Sequence, residues 1–144
     1  MKAEVVVMTV SWTEPARELV DRLGVGMEAL WSLVISAQDG ALRLAMVEPL
    51  DEDFALSDAG VGLADALAEL EWARPELAAG ISVELGQVRW DDVIAYRQAI
   101  AGLLAAALEV VADLLRSAEL DTPDVLALAR VVHLVSAAHQ RVLQ

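Results

Sequence analysis

The chain has no cysteine, one phenylalanine, one tyrosine and only ten basic residues among its 144. Without cysteine there are no disulfides, no thiolate nucleophiles and no cysteine-held metals, which agrees with the cytoplasmic location we expect. Aromatic residues make up 4% of the chain, so Ala, Leu and Val must build the core. The ten cations face 23 acids, a net charge of −13. A field of that sign repels phosphate and favours a basic partner, and it also keeps an apolar chain in solution. No P-loop, no G-x-S-x-G elbow and no H-E-x-x-H helix occurs. No secretory leader is expected from "MKAEVVVMTV", where Glu4 precedes a short apolar run. The most membrane-like stretch, "AIAGLLAAALEVVADLL", carries Glu109 and Asp113, so no span is expected.

What is present is apolar. Hydrophobic residues make up 57% of the chain, above the usual ~45–50%. So high a fraction in a short chain implies a second apolar surface, most simply a homodimer interface. The acidity is concentrated: residues 11–75 hold four cations and 13 acids. One compact domain is expected, divided into residues 1–75, a connector at 76–90 and a C-terminal part at 91–144.

Along the first part, "EVVVMTV" (Glu4–Val10) reads as a strand. A helix follows, with Thr13 as N-cap, Glu14 and Pro15 in its first turn, and Gly24 and Gly26 as its stop. Residues 27–38 admit two readings. Asp39-Gly40 could be a hairpin turn between "ALWSLVIS" and "ALRLAMV". Glu28, Ser32, Ser36 and Asp39, however, form one polar stripe on a helix, and this favours a helix ending at Gly40. Ala41–Val47 then reads as a strand, "EPLDED" as an acidic turn and "FALS" as a returning strand. Ser57 or Asp58 caps a helix that ends before Pro75.

Residues 76–90 carry mixed signals: "ISVEL" alternates like a strand, and Gly80 and Gly86 mark loops. Asp91 and Asp92 open a long helix to about Ser117. Asp121 or Thr122, followed by Pro123 and Asp124, opens the last helix, which runs to near Leu143. The short link makes these two helices an antiparallel hairpin, with Glu109 level with Arg130 as a candidate ion pair. The wide apolar arc of the hairpin points to a dimer interface through Ile100, Leu103, Leu104, Val111, Leu115, Val132 and His139.

"ELVDRLGVGMEALWSLVISAQDG" followed by "FALSDAGVGLADAL" resembles the winged-helix core of MarR-type regulators, over roughly residues 11–70. It is also similar to the winged-helix dimerisation domains of some small-molecule methyltransferases. The matching pieces are a Leu-Gly-Val turn and a Leu-Ser-x-x-Gly closure at Leu56, Ser57 and Gly60. The resemblance implies a helix-rich α+β fold: a winged-helix-like N-terminal half, then a C-terminal antiparallel helical hairpin. In such a fold the second helix of the pair reads DNA. Here that surface offers Glu28, Ser32, Ser36 and Asp39, with Asp51, Glu52 and Asp53 at the wing tip. Carboxylates brought to phosphate lose the gain from counterion release.

The acidic head therefore reads as a protein-contact surface, with a basic protein as the partner. The alternative is a winged-helix transcriptional regulator that reaches DNA through Arg17, Arg22, Arg43 and Gln38. A second alternative is a small ligand-binding protein or enzyme with a pocket between head and hairpin.

Chemistry-bearing residues are sparse. "GVGMEA" satisfies a relaxed dinucleotide fingerprint but follows a helix rather than a strand. Glu109, Asp113 and His133 form a conceivable metal trio, without a second carboxylate–His motif to support it. The Glu48, Asp51, Glu52, Asp53 and Asp58 cluster lacks calcium-loop spacing. Trp12, Trp31, Trp72 and Trp90 sit near element ends, as core or interface anchors. We assign no catalytic, cofactor or metal residues, and expect a non-enzymatic, homodimeric interaction or regulatory module.

Overall fold

The computed structural model describes residues 5–6, 15–24, 26–47, 55–79, 82–83, 93–117 and 119–143. Five α-helices dominate: α1 (Pro15–Leu23), α2 (Met27–Val47), α3 (Ala55–Ala73), α4 (Val93–Arg116) and α5 (Thr122–Leu143). A 3₁₀ turn, Pro75–Ala79, follows α3. The extended structure among the described residues is one two-residue parallel pair, β1 (Val5–Val6) beside β2 (Ser82–Val83). The α+β winged-helix expectation is therefore overturned, and the protein is a helical bundle.

The reason lies in α2, which does not stop at Gly40. Ala37, Ala41 and Leu44 are all 0% exposed and follow i, i+4, i+7 spacing, so the buried face simply continues. Arg43 Nε donates to Asp39 Oδ2 at 2.9 Å across the same i, i+4 step, bridging the supposed hairpin turn. A strand would instead line up Leu42, Leu44 and Met46, but Met46 is 88% exposed and Leu44 buried. The described part of "FALS" is likewise the first turn of α3. "EPLDED", Thr13, Trp12, Trp90, Asp91 and Asp92 lie outside the described residues.

Other boundaries follow their local signals. Pro15 stands first in α1, where a missing N–H costs nothing. Gly24 ends that helix at φ 77°, its N–H donating to the Val20 carbonyl at 2.8 Å, a left-handed stop that favours glycine. Asp121 caps α5: its Oδ1 accepts from the Asp124 N–H at 3.2 Å.

The four long helices close a ring, in which α2 packs on α3, α3 on α5, α5 on α4 and α4 on α2. The short α1 lies against α4 and α2. Side-chain registers give the directions. Trp31 of α2 meets Glu71 of α3, while a Cβ on Gly60 would meet Leu42, so α2 and α3 are antiparallel. Along α3 and α5 the couples are Asp58–Arg141, Glu69–Arg130 and Arg74–Asp124. Arg97 Nη1 near the start of α4 donates to the Val142 carbonyl near the end of α5 at 2.9 Å. All neighbours are therefore antiparallel, and α3 and α4 run in the same direction, joined through residues 74–92. This is an up-down-down-up bundle with one long crossover. By length and composition α4 could cross a membrane; in this fold Tyr96, Ile100, Leu103, Leu104 and Val111 are buried in the bundle core.

Candidate functional site

Among the described residues, the acidic head expected from the sequence is reduced by the burial of its two serines. Glu28 is exposed, but Ser32 and Ser36 are 1% and 0% exposed. The helix α2 packs against α1, α3, α4 and the 3₁₀ turn. Small hydroxyl residues suit so close an approach, and no buried side-chain nitrogen or oxygen among the described residues lacks a partner. Asp39 is engaged by Arg43. Asp51, Glu52 and Asp53 lie outside the described residues.

The dimer face expected on the hairpin is mostly core. Ile100, Leu103, Leu104 and Val111 are 0% exposed within one chain. Val132 and His139 are half-buried, and Leu115 is exposed. The correction has a simple cause: α4 buries its wide apolar arc against α2 as well as α5. Arg130 does not pair with Glu109 either. It reaches Glu69 of α3, Nε to Oε1 at 2.9 Å, because the principal neighbour of α5 is α3. Glu109, Asp113 and His133 do not converge: among the described residues no three such side chains could hold a metal ion, and Asp113 is bound to Arg116.

What the fold does bring together is the outer face of α3 and α5. A shallow groove of about 660 Å³ lies between Ala68, Glu69 and Trp72 on α3 and Leu126, Ala129 and Arg130 on α5. Trp72 is 70% and Leu126 57% exposed. The two alanines keep the groove open, and the indole and the leucine flank it. The Glu69–Arg130 pair crosses it, with Arg130 largely in solvent. The sequence did place Trp72 among possible interface anchors, but not with these neighbours. The available signal was position on the helix wheel, since Trp72 and Val61 fall opposite the Leu56, Leu63 and Leu70 side of α3, and Val61 is also exposed.

Near one end of the groove stands an ion pair whose carboxylate is buried and whose guanidinium is partly exposed. Arg74 Nη2 and Nε donate to the two carboxylate oxygens of Asp124 at 2.8 and 3.1 Å. This fork-to-fork geometry locks the end of α3 to the start of α5. Asp124 is 2% exposed. The Arg74 hydrogen bonds hold its carboxyl below the ordinary carboxylate range, against the opposite pull of burial. The same bonds raise the Arg74 guanidinium above its usual value.

A second, smaller cavity of about 190 Å³ sits at the bundle end between Leu23, Glu28, Trp31, Ser32, Glu76, Leu77 and Ala79. Trp31 Nε1 donates to Glu71 Oε1 at 3.2 Å beside it. Its mouth is acidic, and its walls belong to the packing of the 3₁₀ turn.

No family model matches the chain, and neither a curated protein nor a solved structure matches it. Function must therefore be read from the faces of the bundle.

Proposed function

We propose that this protein is a non-enzymatic interaction or regulatory module that docks another protein chain through the outer face of α3 and α5. The observation that supports this most directly is Trp72, 70% exposed beside an open groove that also holds Leu126 and Arg130. Tryptophan and arginine are the side chains that most often dominate binding energy at interfaces. An indole left in water next to an alanine-floored groove gains by being covered, at about 25 cal/mol per Å² of apolar surface. The overall charge of −13 disfavours nucleic acid as the occupant.

The test is quantitative affinity capture with the wild-type protein and the Trp72→Ala variant as baits, each checked for helicity by circular dichroism. At least one chain, this one included, should be held by the wild type and lost from the variant. Identical capture by both baits, with both folded, would overturn it.

A further inference from the structure

The outer face of α3 and α5 is built from two rails of opposite charge. Between residues 55 and 73, α3 has four acids and no cation; between residues 125 and 143, α5 has two arginines, two histidines and no acid. The facing members stand at matched levels. Asp58 pairs with Arg141 at 3.0 Å and Glu69 with Arg130 at 2.9 Å. Between these rungs Asp65 and His133, both exposed, share one level of the same antiparallel register. A partner of uniform sign fits this face poorly, since it would attract one rail and repel the other. The complementary surface has the same two rails in exchanged positions.

A second copy of the chain supplies that surface. We infer that two copies pair through the α3/α5 face about a two-fold axis parallel to the bundle, with α3 of each copy lying on α5 of the other. This rests on the docking reading above and names its occupant. A two-fold axis along the helices exchanges the rails but keeps every residue at its level. Glu69 of each copy then faces Arg130 of the other, Asp65 faces His133, and Asp58 faces Arg141. Trp72, level with residues 126 and 127, covers Leu126 of the opposite copy and closes the groove. A two-fold axis across the bundle instead lays the acidic rail of α3 on itself, which like-charge repulsion disfavours. The interface is isologous, as a two-fold contact requires.

The available area fits a modest dimer. The 19 residues of α3 span about 28 Å, and two packed helices are about 20 Å wide. The footprint is on the order of 600 Å² per copy, at the lower edge of specific interfaces.

The absence of cysteine makes the geometry directly testable, because any introduced thiol is unique. Asp65→Cys and His133→Cys are separate surface changes that leave the core intact. The two variants are purified, mixed, incubated at high micromolar concentration and treated with a short bis-maleimide. The mixture should give a cross-linked dimer containing one of each variant, with Asp65→Cys alone giving several-fold less. Efficient self-linking of Asp65→Cys, or no cross-link in the mixture, overturns the inference. If capture by the wild type still depends on Trp72 while the mixture gives no cross-link, the face binds another protein: the docking reading survives and the second copy as occupant does not.

Discussion

Asp124 illustrates how one carboxylate serves two helices. Its backbone N–H satisfies the Asp121 cap and its side chain binds the Arg74 fork. Replacing it with Ala leaves Arg74, 40% exposed at its side chain, able to turn to water. The cost is that of a charge-assisted hydrogen bond rather than of a stranded buried cation, about 2 kcal/mol, measurable by urea denaturation. Because the folded-state carboxyl is held below its ordinary value, the contribution is fully present above about pH 4, the unfolded value, and is lost as pH falls through the folded one. The stability gap between wild type and Asp124→Asn should accordingly be flat from about pH 5 to 8 and narrow below about pH 4. A gap that widens on acidification would contradict the pairing.

At the scale of elements, α2 is where sequence and structure part. Leu44 is 0% exposed, Leu42 42% and Met46 88%, an order that only a helix produces. Leu44→Ala should cost about 2–5 kcal/mol, and Met46→Ala should fall within about 0.5 kcal/mol of wild type. Similar losses at both positions would restore the strand. Helices with strong punctuation were legible. The Thr-Pro-Asp start of α5, the Pro15 start and Gly24 stop of α1, and the limits of α3 and α4 were readable to within a few residues. Asp39-Gly40 misled because a two-residue turn signal is local, whereas the burial of Ala41 and Leu44 depends on the packing of α2 against other helices. The site was hidden for the same reason. Nothing within α5 says that Arg130 faces α3 rather than α4, since the hairpin link favours the nearer helix and the ring packing chooses the other.

At the scale of the whole molecule, charge works at two ranges. Each copy carries −13, so two copies repel at long range, while the rails of the α3/α5 face attract at contact. In about 10 mM salt the screening length is about 30 Å, comparable to the molecule, and the net repulsion is felt in full. In about 150 mM salt it is about 8 Å, and contact-range complementarity remains alongside the apolar burial of Trp72 and Leu126. Association should therefore tighten between these salt concentrations in a sedimentation series. Steady weakening with salt across that range would mean that simple attraction between opposite charges dominates.

If the exposed indole on α3 is the anchor that joins two copies, sedimentation equilibrium of the wild type beside Trp72→Glu will show it. The substitution places an acid on the acidic rail without entering the core. The wild type should reach twice the chain mass at high micromolar concentration. The variant should stay helical, with its dissociation constant raised by roughly 30-fold or more, as expected for the loss of an interface anchor. A wild type that remains monomeric, or a variant that dimerises as tightly as the wild type, would contradict it.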